Sequence, residues 1–221
     1  MTIEPRARRK DATENREALL AAARRELAED PAASLDAIAA AAGLSRRAVY
    51  GHFPNREALL AELLERGAAR VASAVNAVEH SEPLAEIALL GRVVWDQVDD
   101  VRAITLLAVR SPFRARIAPA LDLLHSRITD ATARAARDGS ARTDLPASTV
   151  ARLVEGAAFT VLDEATRSRL SREQGVRLVV LAGLGALGLG WREADAFLAE
   201  HAGELGLDRT HIDELGPEER A

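Results

Sequence analysis

Apolar residues in this chain recur at three- and four-residue intervals along its whole length, and nowhere do they alternate for the length of a strand. That period leaves helices as the regular elements and predicts an all-α fold. Composition points the same way, since Ala and Leu dominate, β-branched residues are scarce and aromatics make up 3%. At 221 residues the chain is long enough for one large or two small domains with a sizeable core.

Proline, glycine and capping residues cut the pattern into segments. A first helix covers about residues 13–28, with Leu19, Leu20, Ala23 and Leu27 on one face, and Asp30-Pro31 ends it. Ser34 caps a short second helix reaching Ala42, and Gly43 supplies a residue that tolerates positive φ after it. Ser45 caps a short third helix that Pro54 stops, and Asn55 caps a long fourth running to about Val78. A fifth helix carries Leu84, Ile87, Ala88, Gly91, Val94, Trp95 and Val98 as one stripe. A sixth covers about Val101 to Arg110, before a break at Ser111-Pro112. Pro119 kinks or restarts a seventh, which carries Leu121, Leu124, Ile128, Ala131 and Ala135. After the loop Asp138 to Pro146 come two more apolar helices, about residues 148–167 and 172–190, and a last one from Trp191 to about His201.

Charge is unevenly placed. Residues 1–60 hold ten Lys or Arg against nine Asp or Glu, and residues 61–221 hold nineteen against twenty-five. Between Gly43 and Leu59 the stretch GLSRRAVYGHFPNREAL has three arginines, a tyrosine and a histidine, with no acid before Glu57. An acidic chain that clears one segment of carboxylates points to a polyanion partner for that segment.

Several classes are set aside. There is no cysteine, so disulfides, thiolate zinc sites and cysteine nucleophiles are excluded. The five histidines show no metal-binding helical spacing, GLGALGLG lacks the strand and lysine of a phosphate loop, and no G-x-S-x-G elbow occurs. We therefore expect no catalytic residues, no metal site and no cofactor. The longest uncharged run, Leu178 to Trp191, is fourteen residues and short of a bilayer span. No membrane partner and a cytoplasmic location are expected.

Ser34–Ala42, Gly43-Leu44 and Ser45–Gly51 together make helix, glycine turn, short helix, the helix-turn-helix pattern. Arg46 and Arg47 project from the start of the third helix, where side chains reach base edges when such a helix enters a major groove. Arginine is also the commonest bidentate partner of guanine. The same geometry occurs in helical proteins that bind no DNA, and paired arginines are commonly a solvated face.

The stretch SLDAIAAAAGLSRRAVYGHFPNREALL closely resembles the DNA-binding region of the TetR family of transcriptional regulators. The likeness rests on Ser34, Ile38, Ala39, Ala42, Gly43, Leu44, Ser45, Val49, Tyr50, His52, Phe53, Asn55, Arg56, Glu57 and Leu59, and it extends to the helix before the motif. Two positions depart from the family pattern: Arg47 stands at its usual glycine and Ala48 at its usual threonine. By this resemblance Ser34, Ser45, Tyr50, His52 and Arg56 would hold phosphates, Arg46 and Arg47 would read bases, and Phe53 would belong to the core. Arg6, Arg8 and Arg9 would be either a minor-groove arm or a solubilising tail.

The resemblance also implies a homodimer whose C-terminal half binds a small-molecule effector. The two late apolar helices, with a small-residue stripe at Ala182, Ala186 and Gly190, suit either a dimer interface or a buried intramolecular hairpin. Trp95, Phe113, His125 and Phe159 are the candidate effector contacts, each equally readable as core or boundary packing. The expected organisation is an N-terminal helix-turn-helix DNA-binding domain over residues 1–56, a helical effector-binding and dimerisation domain over 57–207, and a flexible tail over 208–221. The expected function is a ligand-responsive repressor binding a palindromic operator in double-stranded DNA as a dimer. A helical adaptor, or a small-molecule-binding protein without DNA recognition, is the alternative.

Overall fold

The computed structural model describes residues 5–102, 104–106 and 113–207, with side chains described from Thr13 onward except at Asp100. The side chains of Arg6, Arg8 and Arg9, the break at Ser111-Pro112 and the tail 208–221 lie outside the described residues. The all-α expectation holds. The described helices are α1 (Pro5–Glu29), α2 (Leu35–Ala41), α3 (Arg46–His52), α4 (Arg56–Asn76), α5 (Pro83–Val98), α6 (Arg114–Asp138), α7 (Ala147–Ser168), α8 (Arg172–Ala186), α9 (Trp191–Glu200) and α10 (Ala202–Leu205), and no strand occurs among the described residues. No helix among them is long and apolar enough to cross a membrane.

Three expectations are corrected. Pro119 does not restart a helix: α6 begins at Arg114 and runs through it. The proline is exposed in the second turn, where its missing N–H removes one ladder bond. The helix expected to reach Gly190 ends at Ala186, because Gly188 turns at φ +102° and the N–H groups of Gly188 and Leu189 close back on the carbonyls of Gly185 and Leu184. Gly190 therefore caps α9, and the stripe Ala182, Ala186, Gly190 is not continuous on one helix.

Packing divides the chain into two compact units, Met1–Ala68 with Asp100–Ile117, and Ala69–Asp99 with Ala118–Ala221. Leu59, Leu60 and Leu63 from the start of α4, together with Ile104, are buried in one cluster with α1, α2 and α3. The rest of that core is Leu19, Leu20, Ala22, Ala23 and Leu27 of α1, Leu35, Ile38 and Ala39 of α2, and Val49 with Phe53.

In the second unit α8 packs against α5, α7 and α9. It buries Gly175, Val176, Val179, Val180, Gly183 and Leu184. Gly175 lies against the indole of Trp95, which is 3% exposed; a Cβ there would stand 1.8 Å from Trp95 Cζ2. Gly175→Ala is therefore expected to destabilise this unit by about 1–3 kcal/mol through overpacking. Urea denaturation checks it, and an unchanged midpoint would show that the indole has room to move.

The second unit also buries a charge. Glu86 of α5 is 4% exposed and pairs with Arg127 at 2.7 Å and with Arg134, both on α6. Arg127 also donates to the carbonyls of Val75 at 3.0 Å and Val78 at 2.6 Å, closing the C-terminal end of α4. Nothing in the sequence pattern marked these three residues.

Candidate nucleic-acid interface

The turn between α2 and α3 is built from local rules. Ser34 accepts from the Ala37 N–H at 3.1 Å and Ser45 from the Ala48 N–H at 3.2 Å, so each caps the helix that follows. At the end of α2, Gly43 has φ +69°, and Gly43 and Leu44 donate to the carbonyls of Ala40 and Ala39. This pair of bonds is a Schellman motif, which needs a left-handed residue at the glycine. Leu44 then packs back on the core.

These constraints set the roll of α3. Val49 is fully buried, whereas Arg46, Arg47 and Tyr50 are exposed. At helical spacing positions 46, 47 and 50 fall on one exposed face, while the neighbouring position 49 turns its valine into the core. Arg47 makes no ion pair among the described residues. The Arg46 guanidinium lies 5.6 Å from the centre of the Tyr50 ring, and its Nε lies 3.4 Å from Asp36 Oδ1 of α2. The absence of acid between Gly43 and Arg56 thus does not leave Arg46 alone, because the fold brings in a carboxylate from ten residues upstream.

The remaining expected residues surround this face in different ways. Capping uses a lone pair of Ser34 and of Ser45, and the hydroxyl proton of each remains a donor for an outside anion. His52 is half-buried, and its carbonyl accepts from Arg16 Nη1 at 3.1 Å. Arg56 is half-buried and directs Nε to the Ala33 carbonyl at 2.9 Å and Nη2 to the Pro31 carbonyl at 2.5 Å. It ties the start of α4 to the turn before α2, with three of the five guanidinium protons left over. Phe53 is 1% exposed and belongs to the core, as expected, with the Arg16 guanidinium 4.4 Å from its ring centre.

Beneath α3, α1 and α4 are joined by alternating charges that sequence reading did not single out. Arg16 pairs with Glu62, Glu62 with Arg66 at 2.8 Å, and Arg66 with Glu17 at 2.7 Å. The Arg16 hydrogen bond, with help from Arg66, holds the Glu62 carboxyl below its ordinary value of 4.5. A lowered carboxylate contributes stability that is complete above that value and is lost as pH falls below it.

The four candidate effector contacts do not share one unit. Phe113 packs against the core of the first. Trp95, His125 and Phe159 belong to the second, where Trp95 is buried against α8, His125 Nδ1 lies 3.0 Å from Glu155 Oε1, and Phe159 is half-buried on α7.

Residues 19–63 match the family model described as bacterial regulatory proteins, tetR family. No curated protein matches the chain. Among solved structures, the fatty acid degradation regulator FadR from Bacillus halodurans is similar at 18% identity and a TM-score of 0.62, over 85% of this chain and 97% of its own. FadR from Bacillus subtilis, solved with stearoyl-CoA, is similar at 16% identity and 0.62, over 78% and 97%. The TetR-like regulator LfrR from Mycobacterium smegmatis, solved with proflavine, is similar at 21% identity and 0.61, over 80% and 98%. At these identities the likeness is one of fold.

Proposed function

We propose that this chain, which belongs to the TetR family of transcriptional regulators, is a ligand-responsive repressor that binds a palindromic operator as a homodimer. The observation that supports it best is the roll of α3, which turns Arg46, Arg47 and Tyr50 outward while Val49 anchors the helix. In this reading Arg46 and Arg47 contact base edges in the major groove. Ser34, Ser45, Tyr50, His52 and Arg56 hold the flanking phosphates, with Arg56 doing so through the protons its two carbonyl bonds leave.

Dimerisation through α7 and α8 is supported by the surface they expose. Leu153 of α7 is 45% exposed, and Gly156 and Gly185 are exposed small residues on the two helices. A small-molecule effector is supported by the two proteins of this fold solved with stearoyl-CoA and with proflavine. Trp95, His125 and Phe159, which lie in the second unit, are its candidate contacts here.

Binding-site selection from random duplexes, followed by affinity measurement from low to moderate salt, tests DNA recognition. Log affinity is expected to fall with log salt by about 0.9 per phosphate neutralised. Arg46→Ala or Arg47→Ala should each remove about 1–3 kcal/mol of preference at a particular base pair. Failure to enrich any sequence, or a flat salt response, would sink the proposal.

A further inference from the structure

We propose that Asp36 is a positioning residue for base reading: it holds Arg46 through Nε so that the guanidinium fork points outward, and it penalises complexes in which Arg46 turns to a phosphate. The inference rests on the DNA-binding reading of α3.

The geometry comes from two helices. Asp36 lies in the first turn of α2 and Arg46 at the first position of α3. Their closest approach is Nε to Oδ1 at 3.4 Å, with the side chains 74% exposed at Arg46 and 45% exposed at Asp36. The Tyr50 ring lies 5.6 Å from the same guanidinium. A carboxylate on one side and an aromatic face on another narrow the positions open to a long side chain that would otherwise sample many.

An ion pair this exposed contributes little to folding. Its effect falls instead on how Arg46 meets DNA. With the Asp36 carboxylate nearest to Nε, at ion-pair distance, the two terminal nitrogens remain for the paired acceptors O6 and N7 of guanine. Ordering the arginine beforehand lowers the entropy lost on binding the right base. A phosphate contact by Arg46 would pull it from Asp36 and leave a carboxylate beside the DNA backbone, where like charges repel. One acidic residue thus favours the base-reading complex and opposes the sequence-independent one.

The test uses the full chain, a duplex obtained by selection on the unsubstituted protein, single-base variants of that duplex, and an unrelated duplex. Asp36→Asn is expected to tighten binding to the unrelated duplex several-fold, and to lower the selected-to-unrelated affinity ratio about tenfold. The lost preference should sit at the base pair that Arg46→Ala also relaxes. Asp36→Glu, which keeps the charge, should restore much of the ratio. In an Arg46→Ala background Asp36→Asn should leave the remaining base preference unchanged. A purely structural role would weaken both duplexes alike and lower the thermal midpoint. That result, or an unchanged ratio in Asp36→Asn, overturns the inference while leaving DNA binding in place. An unsubstituted protein without sequence preference overturns both.

Discussion

Phe53→Ala is expected to cost the first unit about 3–5 kcal/mol, enough to unfold a large share of it at ambient temperature. Phe53 is 1% exposed in a cluster drawn from four helices, so truncation leaves a cavity that the helices cannot close without moving α3. The Arg16 guanidinium stacked on the ring would lose its apolar platform while still tied to Glu62 and to the His52 carbonyl. Both tryptophans, Trp95 and Trp191, belong to the second unit. Phe53→Ala should therefore show early loss of helical signal in urea while tryptophan emission keeps its own midpoint. DNA affinity should fall on every duplex alike, since the whole motif loses its base. Phe53→Leu, which refills most of the volume, should recover most of the loss. Coincident transitions with an unchanged midpoint would show that Phe53 is not the anchor of α3.

Glu86→Ala should act on the other unit. Removing one partner of a buried ion pair costs about 3–5 kcal/mol, because the remaining charge is left desolvated. The lower end of that range, about 3 kcal/mol, is expected here: only Glu86 is deeply buried, while the Arg127 and Arg134 side chains keep 24% and 36% of their surface exposed. Arg127 would still have the Val75 and Val78 carbonyls, but without the carboxylate that orients it. The tryptophan midpoint in urea should drop. Replacing Glu86, Arg127 and Arg134 together by apolar residues of similar size should cost less than Glu86→Ala alone. A loss under about 1 kcal/mol for Glu86→Ala would mean that water reaches the arginines freely.

Much of this protein is legible in local chemistry. Ser34, Ser45 and Asn55 cap the helices they were expected to cap, with Asn55 Oδ1 accepting from the Ala58 N–H at 2.8 Å. Gly43 turns left-handed where the motif requires it, and Val49 and Phe53 face inward as their apolar spacing demands. Each of these follows from a rule that acts within a few residues: a capping oxygen, a missing Cβ, a 3.6-residue period. Pro119 lies inside α6 and does not restart it, and the start of that helix at Arg114 leaves little trace in the sequence.

Features that join segments far apart along the chain were not legible. Asp36 meets Arg46 only because the turn at Gly43 brings the start of α2 beside the start of α3. Arg56, expected to face phosphate, directs two of its nitrogens to the Pro31 and Ala33 carbonyls once α4 packs on the α1–α2 turn. Phe113 and Trp95, alike as large apolar residues near helical stripes, went to different cores. Glu86 looks like any helical glutamate until α6 brings Arg127 and Arg134 to it. A periodic pattern states which face of a helix is buried. It does not state which neighbour covers that face, and a long charged side chain takes its partner from whatever the packing places within reach.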